Sequence, residues 1–206
     1  GVKAKSFRTG RWGIDKNVMA LLVKSGIKVD SSVYPYYQNE FFSCVGSPTL
    51  PYWPDLHDPL KQGKQNTIYE LPVTVGFNRT NFDLANDVHV AFTKPPLSLT
   101  RFNGLAWHTN LLRKIYLCPE LSAADDMLTL CDKVIDKGYP VLHMYMHSSS
   151  LLDNQVGLLE SDKNPFDFIS EAVSKVVTEL KSRYDIEFCT ISEAAGKLQN
   201  MEKPAV

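Results

Sequence analysis

Apolar positions change their period several times along the 206 residues, and each change marks a predicted element. From Asp15 to Lys24, Val18, Leu21 and Leu22 fall at helical spacing, with Gly26 as the stop. Ser122 to Lys137 repeats the pattern: Met127, Leu130, Cys131, Val134 and Ile135 face inward, Ser122 is the N-cap, Asp125 follows at N3, and Gly138 terminates. A long helix is predicted from Pro165, capped by Asn164, with the stripe Ile169, Val173, Val176, Val177, Leu180 and Tyr184. Shorter runs without that period read as strands: Lys5 to Thr9, Ile27 to Val33, Thr67 to Val75, Val141 to His147 and Ile186 to Ile191. Leu105 to Tyr116 reads as helical, Asn81 to Phe92 as a connecting piece whose alternation has room for another strand, and Ser192 as the cap of a short closing helix.

Strands alternating with helices predict an α/β plan in which consecutive strands pair in parallel through right-handed crossovers. Five strands are too few to close a β/α barrel. There are no internal repeats or low-complexity stretches, and residues 1–206 read as a single domain. One long irregular region, Tyr34 to Gly63, carries Pro35, Pro48, Pro51, Pro54 and Pro59. Loops of that length inside a domain are uncommon and usually functional. Its Tyr36, Tyr37, Tyr52 and Trp53 suit stacking on sugar rings, and suit equally well pinning a long loop to the core.

The segment Val141-Leu142-His143-Met144-Tyr145-Met146-His147, followed by three serines, reads as a core strand that delivers a histidine to its end, where barrels present catalytic groups. His143 and His147 would be neighbours on a helix. On a strand, four residues at about 3.3 Å each put them about 13 Å apart, too far to share one ion. His147 is the candidate site residue, and His143 better fits a core imidazole tied to a backbone carbonyl.

Composition narrows the function classes. The formal net charge of -1, without a Lys/Arg block, argues against nucleic acid as a partner. No apolar run approaches the length of a transmembrane helix. No targeting signal is present in these residues, which leaves localisation open between cytoplasm and cell envelope. Cys44, Cys118, Cys131 and Cys189 form no C-x-x-C pair, so reduced thiols are expected. Asn78-Arg79-Thr80 matches a glycosylation acceptor.

Five short motifs, in order, carry a family resemblance: Phe7-Arg8-Thr9-Gly10-Arg11-Trp12-Gly13, Val29-Asp30-Ser31-Ser32-Val33-Tyr34-Pro35, Glu70-Leu71-Pro72-Val73-Thr74, Cys118-Pro119-Glu120 and His147-Ser148-Ser149-Ser150-Leu151. Together they resemble the polysaccharide deacetylases of the NodB homology type, nearly end to end. That resemblance implies a partial, distorted (β/α) barrel and removal of acetyl groups from N-acetylated sugars of a cell-surface or extracellular glycan, by metal-assisted attack of water. It implies that Arg8 orients the base aspartate, Asp30 tunes the acid histidine, and His147 protonates the leaving amine. Arg11 and Trp12 would line the groove with Tyr36, Tyr52 and Trp53. The ordinary readings stand beside these: Arg8 as a structural ion pair, Asp30 as a turn former.

The family's paired aspartates and its histidine pair belong upstream of the arginine motif, and nothing replaces them here. His57, His89 and His108 lack ligand spacing, and Glu70 and Glu120 are expected at element boundaries rather than converging on His147. The expectation is therefore the C-terminal part of a longer deacetylase. A divalent metal, zinc or a comparable ion, would belong to the full-length protein, and none would bind this chain alone. An open sheet edge near Lys5 to Thr9 would pair with the N-terminal portion or a second copy. The alternative is a non-catalytic carbohydrate-binding or scaffold module with a degenerate deacetylase fold.

Overall fold

The computed structural model describes residues 1, 3–152 and 164–201. In chain order its elements are β1 (Ser6–Phe7), α1 (Lys16–Lys24), β2 (Val29–Asp30), β3 (Tyr69–Glu70), β4 (Val75–Phe77), α2 (Phe82–Ala91), α3 (Phe102–His108), β5 (Lys114–Tyr116), α4 (Ala124–Asp136), α5 (Pro165–Arg183) and α6 (Ile191–Met201). Tight 3-10 turns occupy Gly10–Trp12, Leu97–Thr100 and Ser148–Leu151. The architecture is mixed α/β, with no closed barrel among the described residues. Where the sequence pattern reads as one domain, the contacts gather into two compact units, Gly1–Thr74 with Glu187–Val206, and Val75–Ile186.

The first unit is built on a three-stranded parallel sheet in the order β1-β2-β3. Ser6, Val29 and Tyr69 are in register, as are Phe7, Asp30 and Glu70. α1 forms where predicted because Asp15 accepts hydrogen bonds from the backbone N–H groups of Asn17 and Val18, at 2.9 and 2.8 Å. Gly26, at φ +74°, ends the helix by letting the Ile27 N–H reach the Leu22 carbonyl at 3.1 Å. Met19 and Leu22 then pack with Ile27 and Ile68, whereas Leu21, expected inside, lies largely exposed. In this unit α6 packs against β2. The cap of α6 is Thr190 rather than Ser192: its hydroxyl accepts from the Glu193 N–H at 3.3 Å while the Glu193 carboxylate accepts from the Thr190 N–H at 2.8 Å, a reciprocal capping box.

The second unit departs further from expectation. β4 and β5 pair antiparallel, Val75 with Tyr116 and Phe77 with Lys114, so the parallel plan holds only for β1 to β3. The cause is the intervening excursion through α2 and α3, which folds back on itself so that the Asn78 N–H meets the Arg113 carbonyl at 3.1 Å. Residues 81–92 are thus mainly helix, and the predicted helix from Leu105 ends at His108 before β5 begins. Gly76 allows α2 and α4 to sit directly on β4: a Cβ there would lie 2.7 Å from Leu130 and from the Phe82 ring. α4 buries Met127, Leu128, Leu130, Cys131 and Val134, each large side chain contributing about 1.5–3 kcal/mol. Leu130→Ala would open a cavity costing about 2–5 kcal/mol. Its N-cap is Ala123, because the Ser122 hydroxyl is taken by the Tyr116 N–H at 3.0 Å. Arg183 Nη1 on α5 donates to both carboxylate oxygens of Asp132 on α4, each at 2.9 Å.

Two predicted strands are not formed. Residues 186–190 are half-buried or exposed and join no ladder. Val141 to His147 buries His143 and Tyr145 at alternate positions, but the alternation breaks at the exposed His147, and the segment is not a strand of either sheet. The Tyr145 N–H donates to the Leu117 carbonyl at 3.2 Å. The His147 N–H, which a ladder would need, goes to a carboxylate instead.

Candidate functional site

Two acid clusters stand out, one in each unit. In the first unit the parallel register places Asp30 and Glu70 on one face of adjacent strands. Both are 0% exposed. The Ser32 hydroxyl donates to Asp30 Oδ1 at 2.7 Å and itself accepts from the Thr9 N–H at 2.9 Å. The Val33 N–H donates to Glu70 Oε1 at 3.0 Å. Burial raises both carboxyls above their ordinary range. For Asp30 this is opposed by hydrogen bonds from Glu70, the Ser32 hydroxyl and the backbone N–H groups of Ser31 and Ser32. For Glu70 the charge of Asp30 and the hydrogen bond between the two carboxyls push further up, and only the Val33 N–H pulls down.

The other candidate residues of the unit lie on the segments that flank its strands. The Arg8 guanidinium sits 5.1 Å from the Trp12 ring centre. Arg11 and Trp12 both have left-handed backbones, at φ 57° and 62°, as does Tyr36 at 60°. For bulky side chains that conformation costs about 1–3 kcal/mol per residue, which persists where surrounding structure holds it and is frequent at binding sites. Trp12 packs tilted against Tyr34, and Tyr34 stacks on Tyr37, with ring centres 4.7 and 4.6 Å apart. Tyr36 and Tyr52 are buried, and the Tyr52 phenol donates to the Pro59 carbonyl at 2.6 Å. Trp53, half-buried, lies edge-on to Tyr69. The loop aromatics thus mainly pin the irregular region, and Trp12, Arg11 and Trp53 retain exposed surface.

In the second unit β5 runs into Cys118-Pro119-Glu120, where a turn closed by the Leu121 and Ser122 N–H groups on the Cys118 carbonyl fixes Glu120. Glu120 Oε2 lies 2.9 Å from His147 Nδ1, and Oε1 accepts from the His147 backbone N–H. The Ser150 hydroxyl also hydrogen-bonds to this carboxylate, and the Ser150 N–H closes the 3-10 turn on the His147 carbonyl at 3.1 Å. Burial pushes the Glu120 carboxyl up, but the His147 N–H, the ring, the Ser150 hydroxyl and the His147 charge outweigh it and hold Glu120 below its ordinary value. Its side chain is 10% exposed, that of His147 66%. A carboxylate on Nδ1 leaves Nε2 as the outward nitrogen. Glu120 therefore does converge on His147, contrary to the expectation from its place in the chain. Burial pushes the neighbouring Cys118 thiol to about 12, which rules it out as a thiolate nucleophile at neutral pH.

Of the residues singled out from sequence, Arg8, Asp30, Arg11, Trp12, Tyr36, Tyr52 and Trp53 belong to the first unit and His147 to the second. The sequence does not mark Glu70 and Glu120 as partners of these residues. The signal for Glu70 was an acid inside the apolar run Ile68 to Val75, which buries it by default. Nothing local announces that Glu120 meets a residue 27 positions on. Among the described residues no three His, Cys, Asp or Glu side chains gather to hold a metal ion. The Asn78 side-chain nitrogen, to which a glycan would attach, donates to the carbonyl and side-chain oxygens of Asn110, at 2.9 and 3.0 Å. No helix among the described residues is long and apolar enough to cross a membrane. No protein-family model, curated protein or solved structure matches the chain.

Proposed function

We propose that this chain belongs to a polysaccharide deacetylase-like hydrolase, related to a partial NodB-type (β/α) barrel, and that it carries the residues on the acid side of the reaction. The single observation that supports this reading is the Glu120–His147 pair. A carboxylate that accepts from Nδ1 fixes the ring and its tautomer, and the outward Nε2 is then available to move a proton. In amide hydrolysis that proton goes to the departing amine, here the amino group of a sugar losing its acetyl. Arg11, Trp12 and Trp53 offer the cation and the aromatic faces that sugar hydroxyls and ring faces take.

The test is acetate release from N-acetylated oligosaccharides by the product of the whole reading frame that encodes these residues. His147→Ala should lower turnover by about 10²–10⁴-fold, with a smaller change in KM. Turnover unaffected by that change would sink the assignment. Oligosaccharide binding without any acetate release would favour the non-catalytic carbohydrate-binding module.

A further inference from the structure

The buried acids Asp30 and Glu70 pose a counting problem. Each carboxyl has one oxygen with a donor, Ser32 on Asp30 Oδ1 and Val33 on Glu70 Oε1. Each has one buried oxygen, Asp30 Oδ2 and Glu70 Oε2, to which no other group donates. Two bare carboxylates side by side at 0% exposure are untenable, because each lacks water and repels the other. One proton solves both deficits at once: it makes one orphan oxygen a donor and the other its acceptor. We propose that Asp30 and Glu70 share a single proton, and that this proton latches together the C-terminal ends of the three parallel strands and the loops that leave them.

The connectivity shows what is latched. The Thr9 N–H, just past β1, donates to the Ser32 hydroxyl, and that hydroxyl donates to Asp30 at the end of β2. The shared proton carries the chain across to Glu70 at the end of β3, and Glu70 holds the Val33 N–H. The turn with Arg11 and Trp12 begins one residue after Thr9, and the aromatic run Tyr34 to Tyr37 begins one residue after Val33. Removing the proton places two charges inside this cross-link and releases the segments that carry the candidate sugar-contacting residues.

The proton resides on Glu70. Asp30 receives the Ser32 hydroxyl and two backbone N–H groups, which favour its ionised form, whereas Glu70 receives one. The groups that face the pair do not supply a competing titration near neutrality. Tyr52, joined to Glu70 by backbone hydrogen bonds, is pushed up first by burial and then by the charges of Glu70, Cys44, Asp30 and Asp58. Burial also raises the Cys44 thiol, with Glu70 adding to it. From β1, Phe7 is in register with Asp30, and the next residue, Arg8, lies against Trp12. On α6, which packs against β2, the buried residues are Ala194, Ala195 and Leu198, while Glu193 and Lys197 are exposed and paired with Thr190 and Glu187.

The experiment has two readouts on the full chain. Infrared spectra should show a protonated-carboxyl C=O band at neutral pH that disappears in Glu70→Gln, a variant whose amide still donates to Asp30. Unfolding across pH should show the folding constant of the wild type falling with rising pH, by about tenfold per pH unit at most, with that decline lost in Glu70→Gln. Absence of the band in wild type, or an unchanged decline in Glu70→Gln, overturns the proposal. Stabilisation of wild type by calcium or magnesium at alkaline pH that Glu70→Gln abolishes also overturns it, by placing a cation where the proton is assigned.

Discussion

The two acid clusters use the same side-chain chemistry with opposite results. In the first unit a glutamate meets an aspartate under full burial, and both carboxyls are raised. In the second a glutamate meets a histidine at a turn, collects a backbone N–H and a hydroxyl, and is lowered. Both glutamates suffer desolvation, so burial alone does not decide where the proton sits. The partner decides it. A second acid has no proton to offer and makes glutamate keep its own, while an imidazole and N–H donors supply hydrogen bonds that favour the carboxylate. The first arrangement holds strands together, and the second leaves an oriented ring facing solvent.

The comparison breaks most visibly when one partner is removed. Glu70→Ala should destabilise the chain by about 3–5 kcal/mol at neutral pH in chemical denaturation, because Asp30 keeps a buried charge and the Val33 N–H loses its acceptor. The loss should shrink in acid, where Asp30 takes up a proton itself. A loss under about 1 kcal/mol would mean the pair is solvated.

Ser32→Ala probes the same cluster more gently. It strips a donor from Asp30 and an acceptor from the Thr9 N–H, for about 1–3 kcal/mol. Hydrogen exchange should show the increase first at residues 8–12.

The pH dependence should separate the clusters by sign. Glu70 and Asp30 are raised on folding, so their contribution is fully present below the ordinary carboxylate range and is lost as pH rises through the raised values. Glu120 is lowered, so its contribution is present above the ordinary range and is lost as pH falls through the lowered value. Glu120→Gln should cost about 1 kcal/mol or less at neutral pH, because the pair reaches solvent, and should flatten only the acid side of the stability curve. His147→Ala should change stability by no more than about 0.5 kcal/mol, because the ring is largely exposed, while lowering the turnover of the proposed hydrolase by about 10²–10⁴-fold.

Much of this was legible along the chain, and what was not has physical causes. α1, α4 and α5 announced themselves through period and through the stops Gly26 and Gly138, since those signals lie within one turn of the residues they govern. Asp15 and Asn164 act as caps for the same reason. The antiparallel pairing of β4 with β5 was hidden because it depends on a fold-back of residues 78–113, which no local pattern encodes. Val141 to His147 has the composition of a strand but lends its last N–H to Glu120. Asp30 stands out in the sequence, yet its contact with Glu70 depends on the register of two strands 40 residues apart. His147 stands out too, and its partner lies in a turn 27 residues earlier.

The direct test of the account is the tautomer of His147, read from nitrogen-15 long-range NMR spectra of the neutral ring. The geometry predicts Nδ1 protonated and bonded to Glu120, Nε2 bearing the free lone pair, and loss of that preference in Glu120→Ala. A ring protonated on Nε2 in the wild type, or a tautomer indifferent to Glu120→Ala, would contradict the claim that this carboxylate aims the histidine for proton transfer.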